Sequence, residues 1–195
     1  SKISSRLVQG GKEVIDQQLI EKIRKMIIDF EGEVVEFKEA RTNYSFKDIG
    51  KYFSALGNEA NIRGFKEAWL IFGVTNKKEI VGTAYRQDGN LQNLKKEIVG
   101  GTNERATFME IYEVNMDGHR IVAFQIPPAT RGIPRTWNGA AYAREDENYK
   151  SSANGQGGLN KESGWSRLVQ RNCRRCYFRR FRSRSSSLCK IVCCG

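Results

Sequence analysis

The segment EAWLIFGV, residues 67–74, decides the fold of this chain. It is almost continuously apolar, it is too short for a typical helix, and a glycine interrupts it near its end. Such a run is typical of a strand that is buried on both faces. The segment therefore predicts the central strand of a sheet, with other elements packed against each side of it.

Helices are predicted on the amino-terminal side of this strand. The segment 13–30 places apolar residues at helical spacing, with charges on the opposite face. A second helix is expected to begin at Ser45, because Asp48 completes an acidic variant of the capping box and an apolar stripe follows. Two helices that each have one apolar face fit the two faces of a buried sheet.

The residues after the central strand predict further strands and one short helix. EIVGTAY, 79–85, is interpreted as a short strand beside the central one, and 90–101 as a helix opened by Asn90. Asp117-Gly118 and Asn138-Gly139 each lie between β-rich runs, which indicates two hairpins. Strands and helices mix without strict alternation. We therefore expect an α+β fold in which a mixed sheet has helices packed against it, in one domain with an irregular tail.

Composition limits the class of protein. The chain has 195 residues, enough for one domain with a proper core. Its apolar runs fall short of the ~18–20 residues that span a membrane, and its start lacks a signal-peptide pattern. We expect a cytoplasmic location and no membrane partner. The sequence leaves a homo-oligomer open.

Charge divides the chain into a body and a tail. The net charge is +11, but residues 1–150 hold 23 basic and 21 acidic residues, a net of only +2. The remaining residues carry +9 and all five cysteines. We predict a helical lead-in over 1–30, a folded domain over 31–148, and a basic tail rich in Cys, Arg and Ser over 149–195.

The tail has three interpretations. Cys173-x-x-Cys176 is half of a zinc site without a matching second half. An Arg/Ser-rich segment is also typical of a disordered tail that binds RNA. The interpretation that we favour is a frameshifted translation, because arginine codons read one base later give acidic and small residues that resemble the body. Resequencing the gene around the codons for Tyr149 to Ala153 tests this hypothesis.

The segment VVEFKEA, 34–40, carries the first functional signal. It predicts a strand on which Glu36 and Lys38 share one face, because strand side chains repeat every two residues. The simple interpretation is a solvated face with a weak ion pair. The alternative is one wall of a polar groove that handles a charged partner.

Six short motifs, in this order and spacing, resemble one family. They are VEFKEA (35–40), FSALGNEANIRG (53–64), WLIFGV (69–74), IVG (80–82), VAFQIPPA (122–129) and GAAYARE (139–145). Together they resemble the Schlafen-type Alba-like domain, which occurs in bacterial proteins described as transcriptional regulators or as RecG-related proteins. The resemblance implies an α+β fold and nucleic-acid binding, with DNA as the expected partner.

The resemblance implies a set of candidate binding residues. Lys38 would meet a phosphate as a point charge, and Glu36 would orient Lys38 or bind a metal ion. The candidate residues for nucleic-acid binding are Glu36, Lys38, Arg41, Lys47, Arg63, Lys66 and Arg86. No cofactor is expected for this function.

Two other functions remain open. Animal Schlafens cut RNA with a carboxylate cluster that would hold Mg²⁺ or Mn²⁺, and Glu31 and Glu36 have the spacing of two of its acids. The third acid would follow the central strand, where this chain has Thr75-Asn76 instead. These two residues are poor substitutes for an anionic ligand. The other alternative is a protein-interaction or scaffold domain in which Glu36 and Lys38 form only a local ion pair.

Overall fold

The computed structural model describes residues 17–28, 34–144, 176–180 and 188–193, and it confirms the α+β prediction. Helix α1 covers 17–28. The other elements, in chain order, are β1 (Val35–Lys38), α2 (Phe46–Arg63), β2 (Ala68–Phe72), α3 (Asn93–Val99), β3 (Glu110–Met116), β4 (His119–Ile126), β5 (Thr136–Trp137), β6 (Ala140–Arg144), β7 (Cys176–Arg180) and β8 (Leu188–Cys193).

The first sheet is mixed, with the strand order β1-β2-β4-β3. Strand β1 pairs with β2 in parallel, and the other two pairings are antiparallel. All five residues of β2 are buried, which confirms the prediction of a central strand from its apolar run. Parallel strands need a long connection, and here that connection contains α2, which packs against the sheet.

Helices cover the two faces of this sheet. On one face, ring contacts run from Phe53 of α2 through Phe108 to Phe124 of β4, with centroid distances of 4.9 and 5.3 Å. On the other face, the Lys22 ammonium of α1 lies 4.7 Å from the Trp69 ring centroid. The apolar side chains of β2 are therefore enclosed from both sides.

Both predicted hairpins form, but the predicted strand 79–85 is wrong. Asp117-Gly118 joins β3 to β4, and Asn138-Gly139 joins β5 to β6; all four residues have positive φ, as a tight hairpin turn requires. In contrast, the segment 79–85 makes only one bridge, between Val74 and Ile80. Its chain turns at Gly82, where φ is +76°, so a regular ladder ends there.

The second sheet has the order β5-β6-β8-β7. Its strands β7 and β8 come from the segment that the sequence predicted to be irregular, and β8 pairs with β6 over four residues. The physical reason is that β6 offers a free edge, while Ile191 and Val192 favour extended backbone. Cys173 lies outside the described residues, and the frameshift hypothesis stays a prediction.

A glycine-lined slot holds the β5–β6 hairpin. Trp137 is 4% exposed, and its indole fits between Gly50 of α2 and Gly101, which follows α3. A Cβ atom at Gly50 would lie 2.0 Å from the indole, and one at Gly101 would lie 2.1 Å from it. The indole therefore occupies space that only glycine leaves open.

A buried guanidinium lies beneath the same hairpin. Arg135 is 2% exposed, and its Nε donates to Glu104 Oε2 at 2.8 Å. Its two terminal nitrogens donate to the carbonyls of Pro127 and Pro128. The Asn58 amide of α2 accepts the Arg135 N–H at 2.7 Å, so the side chain of Asn58 holds this loop to the helix.

The buried ion pair between Arg135 and Glu104 predicts that the domain loses stability in acid. Burial raises the pKa of Glu104, but hydrogen bonds from Thr130 and Arg135 lower this pKa by more. A carboxyl with a lowered folded-state pKa contributes stability above its unfolded pKa, and that contribution disappears as the pH falls through the folded value. We expect urea midpoints to fall with acidification less steeply in Glu104→Gln than in the unmodified chain. Equal slopes in Glu104→Gln and in the unmodified chain would contradict the assignment.

Candidate nucleic-acid interface

The charged pair on β1 is buried and has a third member. The Lys38 ammonium lies 2.8 Å from Glu36 Oε1, and Arg144 Nη2 lies 2.8 Å from Glu36 Oε2. Arg144 also donates through Nη1 to the Val35 carbonyl at 3.0 Å. The side chains of Glu36 and Lys38 are only 8% and 12% exposed. Both oxygens of the Glu36 carboxylate are therefore engaged by cations.

Strand geometry explains this triad. Glu36 and Lys38 face α2, and the Lys38 ammonium lies 5.0 Å from the Tyr52 ring centroid of that helix. Arg144 ends β6, two residues after buried Tyr142, so both side chains project from the same side of the strand. The Lys38 ammonium is thus directed toward Glu36 and α2, and its contact with a phosphate stays a prediction. Sequence reasoning missed Arg144, because its contact with Glu36 joins two distant parts of the chain.

Of the two acids of the nuclease alternative, the structure describes Glu36, and the alternative stays open. The Glu36 oxygens already accept from two cations, and Glu31 lies outside the described residues. The Thr75 hydroxyl accepts the backbone N–H groups of Lys77 and Glu79, at 3.2 and 3.1 Å, which closes a tight turn. Within the described ranges no three His, Cys, Asp or Glu residues gather as a metal site would require.

Three of the predicted cations belong to or adjoin two segments that a backbone hydrogen bond joins, and we call them the Arg41 face: Arg41, Lys47 and Arg86. Arg41 lies in the loop after β1, and its carbonyl accepts the Ala84 N–H at 2.7 Å, which ties this loop to the one that carries Arg86. Lys47 is exposed in the first turn of α2. Arg86 donates through two nitrogens to Glu97, at 2.9 and 2.8 Å.

The other two predicted cations lie elsewhere. Arg63 ends α2, where it pairs with Glu59 at 2.6 Å, and Lys66 is exposed just before β2. An 18-residue helix is roughly 27 Å long. Arg63 and Lys66 are therefore separated from Lys47 by about the length of the helix, and one short contact cannot include both ends.

A cleft of about 390 Å³ opens beside the Arg41 face, and we call it the Tyr44 cleft. Two segments line it, residues 42–46 without Ser45 and residues 84–89. Three of its residues are aromatic: Tyr44, Phe46 and Tyr85. Burial raises the pKa of both tyrosines, so their hydroxyls stay neutral and able to donate hydrogen bonds at neutral pH.

Sequence reasoning missed this cleft. The motif VEFKEA ends at Ala40, and the residues directly after it were not considered. They include two aromatic residues, Tyr44 and Phe46, shortly after Arg41. That combination of stacking surface and positive charge was the available signal. Arg86 was predicted as a binding residue, but the contribution from residues 84 and 85 was hidden, because they were interpreted as the end of a strand over 79–85.

Comparison with known families now decides the identity of the domain. The family model described as Schlafen, AlbA_2 matches residues 31–153, which is more than half of the chain. The chain belongs to the Schlafen AlbA_2 family. The resemblance in the six sequence motifs is thereby confirmed, and membership supports a nucleic-acid-related function in general.

Comparison with solved structures and with curated proteins adds no further assignment. Among solved structures, the Schlafen AlbA_2 chain is similar to the DIP2311 protein from Corynebacterium diphtheriae, with 15% identity and a TM-score of 0.43. The similarity covers 66% of this chain and 25% of that one, so the present chain spans about a quarter of the other protein. A search of curated proteins found no match. None of the helices in the described ranges has the length and hydropathy needed to cross a membrane.

Proposed function

We propose that this Schlafen AlbA_2 domain binds nucleic acid through the Arg41 face, without catalysis. We propose DNA as the partner and a transcriptional regulator as the setting, as the resemblance to bacterial regulators implies. The observation that carries the proposal is a cleft that Arg86 lines, between two segments that the hydrogen bond from the Ala84 N–H to the Arg41 carbonyl joins. Arg41 and Lys47 directly flank the first of these segments in the chain. Family membership independently supports the nucleic-acid class.

The ion pairs on this face do not oppose the proposal. Arg41 pairs with Glu39 at 3.0 Å, but the two side chains are 71% and 48% exposed. Exposed pairs of this kind contribute only ~0–1 kcal/mol and are screened by salt. A phosphate group, which a guanidinium binds with two parallel hydrogen bonds, can therefore displace the Glu39 carboxylate.

The buried triad supports a role without catalysis. A metal-bound nuclease needs carboxylate oxygens that are free to coordinate, and those of Glu36 accept from Lys38 and Arg144. The same contacts give Glu36 a structural role at the junction of the two sheets. The nuclease alternative predicts cleavage that requires Mg²⁺ or Mn²⁺, and the scaffold alternative predicts no salt-sensitive binding.

Two exposed lysines near opposite ends of α2 provide a matched test. Lys47→Ala should weaken the binding of labelled duplex DNA several-fold, because it removes a charge from the proposed contact. It should also lower the slope of log affinity against log salt by about 0.9. Lys66→Ala removes the same charge away from the Arg41 face and should change neither quantity. Fluorescence anisotropy of the full chain over a range of salt concentrations measures both.

All variants carry the same basic tail, so any contribution of the tail to DNA affinity is equal in the proteins compared. Equal losses in Lys47→Ala and Lys66→Ala would indicate diffuse attraction and overturn the assignment of the interface. RNA of the same sequence, added as competitor, tests the choice of DNA. Incubating the labelled strands with Mn²⁺ tests cleavage in the same samples.

A further inference from the structure

We propose that the Tyr44 cleft accepts one unstacked nucleobase together with its adjoining phosphate. This inference rests on the proposed function and adds a preference to it: the domain should favour single strands, or duplexes that are locally open. The ligand that we infer for the cleft is a flat aromatic heterocycle next to an anion. A base within a strand is the occupant that we infer.

The aromatic walls of the cleft are held in place before any ligand arrives. The Tyr44 and Tyr85 rings both pack against buried Phe72, with centroid distances of 4.8 and 5.2 Å. Phe46 meets the buried Trp137 ring edge-on at 5.4 Å. Tyr85 is only 4% exposed, so it supports the wall from behind, whereas Tyr44 and Phe46 are partly exposed. Rings anchored in this way lose little conformational freedom on binding, which favours stacking of Tyr44 and Phe46 against a base.

Polar groups of the cleft suit the edges of a base. Asn43 and Gln87 are exposed and line it from the two opposite segments. Their amides carry both donors and acceptors, which is what the hydrogen-bonding edge of a nucleobase requires. The combination of stacking rings and amides distinguishes this cleft from an apolar groove that would take a helix or a lipid.

Arg86 supplies the cation for the phosphate. It lines the cleft, and Glu97 accepts hydrogen bonds from two of its nitrogens, which fixes the plane of the guanidinium. A guanidinium has five N–H donors, so this pairing leaves others for an anion. Arg41 and Lys47 are the chain neighbours of Thr42 and Phe46, which line the cleft, and we expect them to hold the neighbouring phosphates of the strand.

The geometry disfavours a fully paired duplex inside the cleft. In a duplex the faces of each base are covered by its neighbours, so a base reaches the rings only after it leaves the stack. Single strands avoid that cost, which is a few kcal/mol for a paired base. Duplex DNA can still contact the Arg41 face through its phosphates.

The experiment compares one sequence as a single strand and as a duplex, with the full chain and a cleft-filling variant. Gly89→Leu places a side chain at the cleft, where a Cβ atom would be 3.5 Å from Arg86 Cβ, an ordinary contact. Gly100→Leu is the matched control, since a Cβ atom there has its nearest neighbour at 3.9 Å and lies outside the cleft. Circular dichroism confirms that each variant is folded, and Asn43→Ala provides a second cleft variant.

We expect the unmodified chain to prefer the single strand, and Gly89→Leu to weaken that binding by at least about fivefold. Duplex binding and the Gly100→Leu control should change little. A single strand that contains 5-iodouracil should crosslink under ultraviolet light to Tyr44 or Phe46, as mapped by mass spectrometry.

The outcomes separate this inference from the proposed function. If neither nucleic acid binds in a salt-sensitive manner, the proposed function itself fails. If both bind with equal affinity and Gly89→Leu changes neither, the Arg41 face stands and the base site is wrong. If a free mononucleotide competes as strongly as the strand, the occupant is a small nucleotide, which overturns the assignment to a base within a strand.

Discussion

Replacing Glu36 with glutamine should lower the free energy of unfolding by about 3 kcal/mol. The substitution keeps the shape of the side chain but removes the negative charge that faces two cations. Lys38 and Arg144 are only 12% and 20% exposed, so water cannot fully replace the lost carboxylate. Breaking a buried ion pair from one side costs more than the pair contributes, because a desolvated charge remains.

Urea denaturation of the full chain measures this loss. The control is Glu113→Gln, because Glu113 also faces an arginine, Arg120, at 2.6 Å, but is 54% exposed. That variant should lose less than about 1 kcal/mol. A carboxylate kept for metal binding is strained in the empty fold, so a gain in stability from Glu36→Gln would revive the nuclease interpretation.

Gly101→Ala should cost the domain about 3 kcal/mol, although it adds only one methyl group. The added carbon would lie 2.1 Å from the indole of Trp137, and the indole is confined on its other side by Gly50. Either the hairpin that carries Trp137 or the end of α3 has to move. Overpacking a filled site costs typically 1–3 kcal/mol, and both walls of this slot are backbone.

The neighbouring residue supplies the control for this prediction. Gly100→Ala adds the same methyl group where the nearest atom is 3.9 Å away, and its effect should stay within about 0.5 kcal/mol. Thermal unfolding followed by circular dichroism compares the two variants. Adding Trp137→Leu to Gly101→Ala should relieve the collision and recover part of the loss relative to Trp137→Leu alone. Equal melting temperatures for Gly100→Ala and Gly101→Ala would show that the slot is not tight.

Local sequence patterns predicted the elements whose cause is local. The β2 strand follows from one apolar run, and both hairpins follow from dipeptides that accept positive φ. The prediction for 79–85 was wrong because two glycines, Gly73 and Gly82, adopt left-handed backbone and turn the chain. The β preference of this segment is overridden by a turn, because Gly73 and Gly82 pack closely against residues of β4.

The candidate site was harder to predict because its groups come from distant parts of the chain. Arg144 reaches Glu36 only after the two sheets meet, and no spacing in the sequence records that contact. Arg41, Lys47 and Arg86 were each among the predicted basic candidates, but no sequence pattern distinguishes them from Arg63 and Lys66. That separation comes from the length of α2.

The hydrogen bond from Arg144 to the Val35 carbonyl also bears on self-association. The Val34 carbonyl accepts from Trp69 of β2, and successive carbonyls of a strand point in opposite directions, so that of Val35 points away from the sheet. Unpaired acceptors along an outer strand can template the addition of a strand from another molecule. The Arg144 guanidinium occupies the Val35 carbonyl, so a strand of another molecule cannot hydrogen-bond to that carbonyl. This contact therefore opposes the pairing of β1 between molecules that begins aggregation.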